Sequence, residues 1–166
     1  FFRSIKSVGK KWFSCSDNML AIEINPIRSI GLSILAHLQG TGDTGGYMED
    51  EYVGTQDQAR QLEGFQISIT PPISGLGLRY FAHVQSIGDT SWVTDGQFVG
   101  TRGKGLRVEG FAIETTGPLA NQYVVEYLAH VLGQGYTPFY SNGAYCGTRG
   151  QGLRVEGIRV RVFKKA

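Results

Sequence analysis

The sequence predicts an all-β protein whose body consists of three homologous repeats with pseudo-threefold symmetry. Each copy contains an Ala-His pair, then a Gly-Thr pair whose Gly comes 17 residues after the His, and then a Glu-Gly pair nine residues after that Gly. The composition agrees, because 24 Gly, eight Tyr and nine Phe among 166 residues are typical of short strands joined by tight turns. Helical periodicity is absent throughout the chain.

The three pairs keep the same order and spacing in every copy, and the copies begin 46 and 47 residues apart. They are Ala36-His37, Ala82-His83 and Ala129-His130, then Gly54-Thr55, Gly100-Thr101 and Gly147-Thr148, then Glu63-Gly64, Glu109-Gly110 and Glu156-Gly157. Such a pattern indicates an internal repeat. We expect one domain at 30–166, with repeats at about 30–72, 76–117 and 122–163. An N-terminal extension, 1–29, is expected to add a strand.

Each copy opens and closes with an apolar segment of strand length. The opening segments are 32–38, 78–84 and 125–131, and they are rich in branched and aromatic residues. In the closing segment of the third copy the alternation is clean. Ile158, Val160 and Val162 share one face, and Arg159 and Arg161 share the other.

Short strands and turns are expected between the two long strands of each copy. Asp95-Gly96 and Asn142-Gly143 are strong hairpin signals, because their positions in the turn require positive φ. The first copy has Glu49-Asp50 there, which predicts a looser hairpin. Each copy therefore supplies about four strands.

Three four-stranded units in one domain predict a closed body, because a single unit would leave its strand edges exposed. Two architectures fit the pattern. A β-prism is favoured by the Gly-rich turns and by the long first and last strands of each copy, and a β-trefoil is the alternative.

The polar residues that recur in every copy are predicted to serve the fold, because an active site is normally unique within a domain. Glu156 shares a face with Ile158, and a buried carboxylate needs partners such as Arg154. Structural polar contacts are therefore expected of His37, His83, His130, Glu63, Glu109, Glu156, Arg107 and Arg154. Metal-binding and phosphate-binding motifs are absent, so we expect no catalytic residue, no cofactor and no metal.

Ligand binding is predicted at the tips, where the copies differ and carry aromatic residues. An exposed ring beside a carboxylate or amide suits a sugar, because the ring stacks on its apolar face while the polar group binds hydroxyls. The candidates are Trp92, Asp95, Phe139, Tyr140, Asn142, Tyr47 and Glu49. The competing interpretation is that Trp92 and Phe139 fill the core between strands.

The net charge is only +2, but it is unevenly distributed. Residues 1–30 and the last 45 residues are basic, whereas 31–75 carry one basic and six acidic residues. The acidic first copy disfavours nucleic-acid binding. The chain has no apolar run long enough for a spanning helix. Cys15 and Cys146 are equally compatible with one disulfide and with two buried thiols.

The second copy carries a compound pattern that resembles a known family. The pattern runs through Ala82-His83-Val84-Gln85, Gly88, Trp92-Val93-Thr94-Asp95-Gly96 and residues 100–109. It is similar to the clostridial hydrophobic repeats with a conserved tryptophan, called ChW repeats, and the resemblance covers 30–163. The third copy keeps most of the pattern, and the first keeps His37, Gly54-Thr55 and Glu63.

The chain departs from the family at the position directly after the Gly that follows each His. The family usually has Trp there, and this chain has Asp43, Asp89 and Tyr136. The resemblance implies a secreted or surface-exposed module that binds polysaccharides or other surface molecules and catalyses no reaction. The alternative is a structural subunit that packs with sister chains or within a larger complex, since uneven charge also favours head-to-tail packing.

Overall fold

A computed structural model describes residues 10–15, 18–23, 29–46, 48 and 50–166. Its strands in chain order are β1 (Lys10–Cys15), β2 (Asn18–Glu23), β3 (Ser29–Ile30), β4 (Leu32–Leu38), β5 (Gly42–Asp43), β6 (Tyr52–Gly54), β7 (Leu62–Ile69), β8 (Gly77–Val84), β9 (Gly88–Asp89), β10 (Val93–Thr94), β11 (Val99–Gly100), β12 (Val108–Thr116), β13 (Tyr123–Val131), β14 (Gly135–Tyr136), β15 (Tyr140–Ser141), β16 (Cys146–Gly147) and β17 (Val155–Lys164). These ranges contain no α-helix, only a 3₁₀ turn at Ala120–Gln122. The all-β prediction is confirmed.

Each repeat is built on a pair of long antiparallel strands. The pairs are β4 with β7, β8 with β12, and β13 with β17. Alternation of side chains buries one face, as in β4, where Leu32, Ile34, Ala36 and Leu38 are buried. The pairs form three separate open sheets, so the predicted three-repeat body is confirmed. The choice between β-prism and β-trefoil stays a prediction.

The short strand before each Gly-Thr pair leaves its own copy and joins the sheet of another. In the second copy β11 pairs with β7 of the first, and in the third copy β16 pairs with β12 of the second. In the first copy β6 pairs with β17 of the third. Because the first and last copies are joined in this way, the three repeats close into a ring.

The Asp95-Gly96 dipeptide forms a turn, but its flanking strands do not form a hairpin with each other. The N–H of Gln97 donates to the carbonyl oxygen of Thr94 at 2.9 Å, and Gly96 has φ of 77°. Strand β10 then pairs with β8 of its own copy. The turn therefore links two sheets. Glu49 lies outside the described residues, so the looser hairpin expected at Glu49-Asp50 in the first copy stays a prediction.

A single core joins the three repeats. Phe65 stacks on Tyr80 with ring centroids 5.5 Å apart and contacts Phe111 edge-on at 5.4 Å, and Phe111 lies 5.6 Å from Tyr127. All four rings are fully buried, and they come from β7, β8, β12 and β13. Because this cluster draws on all three copies, no repeat completes its core alone.

The predicted N-terminal extension is described only in part. Strands β1 and β2 pair with each other, and β3 pairs with β17. The remainder of the extension, 1–9, 16–17 and 24–28, lies outside the described residues, so the domain boundaries stay predictions. In the described chain no helix has the length and the apolar character needed to cross a membrane.

Candidate functional site

The Glu of each Glu-Gly pair is the extra residue of a β-bulge in the closing strand. In β12, Val108 pairs with Val84 and Gly110 pairs with His83, so Glu109 has no residue opposite it. The register shifts at the same place in the other two closing strands. In a regular strand, neighbouring side chains point to opposite faces of the sheet. A bulge changes the direction of its extra side chain, which explains why each of these carboxylates is buried together with its neighbours. The other two bulged residues are Glu63 and Glu156.

The Gly of one Gly-Thr pair lies directly opposite the Gly of a Glu-Gly pair in another copy. These facing pairs are Gly100 with Gly64, Gly147 with Gly110, and Gly54 with Gly157. A Cβ on Gly110 would lie 2.2 Å from the hydroxyl oxygen of Tyr145 and 2.7 Å from the carbonyl oxygen of Cys146. Glycine is therefore required for the two copies to approach. We call each such contact between copies a junction, numbered by the copy that supplies the Glu.

Junction 2 contains a chain of polar contacts across the two copies. His83 Nδ1 lies 2.6 Å from Asp89 Oδ1, and Arg149 of the third copy donates to both Asp89 oxygens at 3.1 and 3.0 Å. The hydrogen bonds from Arg149, followed by that of His83, hold the pKa of Asp89 below its usual range. Beneath them the N–H of Gly150 donates to Glu109 at 2.9 Å. Arg107 also binds Glu109, at 3.0 Å.

Junction 1 repeats the outer contacts of this arrangement but differs beneath them, where the N–H of Gly103 donates to His37 Nε2 at 3.1 Å and not to the Glu. Arg102 donates to both Asp43 oxygens at 3.1 and 3.2 Å, and His37 Nδ1 lies 2.6 Å from Asp43. The hydrogen bonds from Arg102, followed by that of His37, lower the pKa of Asp43. Gln61 stands where the second copy has an arginine, and Glu63 therefore has no guanidinium partner among the described residues. The Oε2 atom of Glu63 is 4.0 Å from the nearest nitrogen of His37.

Junction 3 has different residues at its outer positions. Tyr136 replaces the Asp and Gln56 replaces the Arg, and the two side chains hydrogen-bond to each other. Asp57 stands where the other junctions have Gly103 and Gly150. The ion pair of the first two junctions is thus replaced by a neutral contact, and a carboxylate is added.

The inner part of junction 3 holds a histidine and two carboxylates. His130 Nδ1 lies 3.1 Å from Glu156 Oε2, and the N–H of Asp57 donates to the same oxygen at 3.3 Å. Arg154 binds Oε1 of Glu156 through two nitrogens at 3.0 and 2.9 Å. Ligand atoms of Asp57, His130 and Glu156 lie within 4.8 Å of one another, and no other such group occurs in the described chain. The three histidines bind different carboxylates and do not converge.

A cleft of about 190 Å³ opens at the surface of junction 3. It is lined by Tyr52, Leu128, Tyr136 and Arg159. The rings of Tyr52 and Tyr136 meet edge-on, with centroids 5.6 Å apart. At junction 2 the position of Leu128 is held by Phe81, which stacks on Tyr145 at 6.2 Å. The smaller leucine therefore leaves space at junction 3 that the larger ring fills at junction 2.

Trp92 and Phe139 occupy equivalent positions in the second and third copies, and both remain partly exposed. Trp92 is 40% exposed and Phe139 is 37% exposed. Trp92 packs edge-on against Phe81 at 4.7 Å, and the guanidinium of Arg79 lies 4.8 Å from its ring centroid. The guanidinium of Arg161 lies 4.1 Å from the ring of Phe139. We call these two arrangements the aromatic faces.

The polar candidates at the tips are used within the fold. Asp95 accepts from the N–H of Ile69 at 3.2 and 3.4 Å, and burial raises the pKa of its carboxyl. Asn142 Oδ1 accepts from the N–H of Val125 at 3.2 Å. Tyr140 packs against the core. Tyr47 and Glu49 lie outside the described residues, and their assignment stays a prediction.

Sequence reasoning missed the roles of Asp43 and Asp89 and of the arginines that bind them. The signal was present as variation among the copies. Where a copy has Asp43 or Asp89, the next copy has an arginine directly after its Gly-Thr pair. Where the third copy has Tyr136, the corresponding residue of the first copy is Gln56. Cys146 is a buried free thiol, and nothing is described of the side chain of Cys15.

A sequence model of the family described as Clostridial hydrophobic W matches residues 37–71, 83–117 and 130–164. Comparison with curated proteins and with solved structures gives no match. Each match begins at the repeat histidine and includes its Gly-Thr and Glu-Gly pairs, which meet at the junctions. The matches cover more than half of the chain and confirm the resemblance. This chain therefore belongs to the Clostridial hydrophobic W (ChW) family, with three copies of its repeat.

Proposed function

We propose that this chain is a non-catalytic, extracellular binding module that recognises carbohydrate or another cell-surface molecule through its aromatic faces. ChW repeats are typical of extracellular proteins, which supports this location. The polar residues common to the copies are engaged at the junctions. Of the sequence-predicted candidates that the structure describes, Trp92 and Phe139 present exposed rings to solvent.

One observation carries the proposal: the same position in two copies presents an exposed ring with a guanidinium beside it. The ring supplies an apolar surface on which a sugar can stack. Arg79 is paired with Glu114, and Arg161 donates to Glu126 at 2.7 Å. Each ring therefore has a hydrogen-bond donor and an acceptor nearby, which suits the hydroxyls of a sugar.

Two related faces on one rigid body favour a polymeric ligand. Either face alone is small and is expected to bind weakly. A polysaccharide or a decorated surface that reaches both faces gains affinity, because the second contact becomes intramolecular. The equivalent position in the first copy is Gly46, which has no ring to contribute.

The test compares binding to a glycan array and to insoluble polysaccharides for the wild type, Trp92→Ala, Phe139→Ala and the double variant. Each single variant should bind less, and the double variant should lose binding while its far-ultraviolet circular dichroism and thermal midpoint stay close to the wild type. Ile87→Ala is the matched control, because Ile87 is 54% exposed and lies in a different loop. Wild-type binding by the double variant would contradict the proposal.

The alternative function, a structural or assembly subunit, is favoured by the uneven charge of the sequence. It predicts oligomers that dissociate with added salt, measured by light scattering, together with no signal on the array. The fold gives an argument against head-to-tail packing through the repeats, because all three junctions are made within one chain. An assembly would have to use other surfaces.

A further inference from the structure

We propose that junction 3 binds a divalent transition-metal ion, with Zn²⁺ as the best fit, through Asp57, His130 and Glu156. The three side chains offer one nitrogen and two carboxylate oxygens, all within 4.8 Å of one another. Imidazole and carboxylate are ligands that Zn²⁺ accepts, and three protein ligands leave a fourth position for water or an incoming group. Neither the family match nor the proposed function depends on this site.

Two of the three ligands are held in place by the fold. The bulge in β17 turns Glu156 toward His130, whose Nδ1 atom lies 3.1 Å from Oε2. Arg154 holds the other oxygen of Glu156 through two hydrogen bonds, which fixes the carboxylate without occupying Oε2. Such outer partners orient metal ligands and raise affinity.

The third ligand comes from a position that carries no side chain at the other junctions. Asp57 has φ of 55°, close to the 65° of Gly103 and the 63° of Gly150. The turn is therefore the same in all three copies, and only the first copy adds a carboxylate. Asp57 is exposed, so its side chain can move inward to form the metal–oxygen bond of about 2.0–2.2 Å that zinc requires.

The charges at junction 3 are compatible with a bound cation. The carboxylates of Asp57 and Glu156 have the single guanidinium of Arg154 between them, which leaves one net negative charge. Junction 1 carries the same net charge, since Asp43 and Glu63 share the guanidinium of Arg102. What distinguishes junction 3 is the position of its extra carboxylate, because Asp57 lies beside His130 and Glu156 and the three can share one ion.

Asp57 is the exposed member of the three ligand residues, and it opens the site to solvent. The adjacent cleft of about 190 Å³ is lined by Tyr52 and Tyr136, and Tyr136 contacts the ring of His130 edge-on at 5.0 Å. The site is therefore accessible from outside, while His130 and Glu156 are buried. Access of this kind allows the ion to enter and to be removed by a chelator.

The test is calorimetric titration of the chelator-treated full chain with ZnCl₂, with Co²⁺ absorption in the visible range as a second readout. The wild type should bind one Zn²⁺ per chain. Asp57→Gly should weaken binding by about tenfold or more, since even the loss of an outer partner has an effect of that size. The variant should fold, because glycine occupies this turn in the other copies.

Ala59→Gly is the matched control, since Ala59 lies in the same turn with φ of 57° and offers no ligand atom. It should bind Zn²⁺ as the wild type does. His130→Gln should also lose binding, and if that variant fails to fold, Asp57→Gly decides alone. Equal affinity of wild type and Asp57→Gly, or no saturable Zn²⁺ binding by the wild type, would overturn the proposal.

Discussion

Replacing Gly110 with alanine tests directly whether the repeats must approach through paired glycines. The added Cβ would lie 2.2 Å from the hydroxyl oxygen of Tyr145, 2.5 Å from its Cζ, and 2.7 Å from the carbonyl oxygen of Cys146. The ring has little freedom to withdraw, because its hydroxyl donates to the carbonyl of Thr148 at 2.7 Å and Arg149 lies 3.6 Å from its centroid. The Cys146 oxygen is backbone and moves only if the junction opens.

The cost of this substitution is expected at the upper end of the range for overpacking, about 3 kcal/mol of unfolding free energy. For a domain of this size each kcal/mol lowers the thermal midpoint by about 2–4 °C. The variant should therefore melt roughly 6–12 °C below the wild type, because the atoms that clash with the new Cβ belong to a held ring and to the backbone and cannot move aside.

The assay is thermal and urea unfolding followed by circular dichroism. Gly45→Ala is the matched control, because a Cβ there would meet no atom within 4 Å. It should stay within about 1 kcal/mol of the wild type. If Gly110→Ala proved as stable as Gly45→Ala, the close approach of the copies at junction 2 would be wrong.

Three other predictions concern a carboxylate, a thiol and a hydroxyl. Asp89→Asn should cost up to about 1 kcal/mol at pH 7, because its ion pair with Arg149 is partly exposed. The arginine lowers the pKa of Asp89, so the carboxylate contributes fully to the free energy of unfolding above its ordinary pKa. This contribution is lost as the pH falls below about 4. The stability of Asp89→Asn should therefore change less with pH in this acid range than that of the wild type. Burial raises the pKa of Cys146 to about 11, so iodoacetamide should alkylate this thiol only after the protein is unfolded. Mass spectrometry measures the alkylation, and labelling of Cys146 in the native protein would contradict its burial. Tyr80→Phe should cost about 1–3 kcal/mol in urea unfolding, because its buried hydroxyl accepts from the N–H of Ile67 at 3.0 Å, and an unchanged stability would argue against that bond.

The sequence predicted the fold class and the number of repeats because both depend on short local patterns. Tight glycine turns and alternating strands such as β17 can be recognised from neighbouring residues alone. The partners of the short strands could not be predicted in this way. Gly147 lies nine residues before Glu156 of its own copy and 37 residues after Gly110 of the second, and only the fold shows that it faces Gly110.

The site was predicted less completely, for two physical reasons. A prediction from alternating side chains assumes a regular strand, and a bulge interrupts the alternation. The direction of the Glu109 side chain could therefore not be predicted from the two-residue period of the strand. Contacts between copies also combine residues far apart in sequence, such as Asp89 with Arg149 and Asp57 with Glu156. The rings of Trp92 and Phe139 are partly exposed, and their choice as binding residues stays a prediction.

The first and third copies meet, so that three repeats close into a ring within one chain. The nuclear Overhauser effect between backbone protons of Gly54 and Gly157 in isotope-labelled protein measures this contact. It should appear within one chain, together with slow exchange of the Thr55 amide, which donates to the Glu156 carbonyl at 2.9 Å. If the contact were absent, or appeared only between differently labelled chains, the ring would not close within one chain.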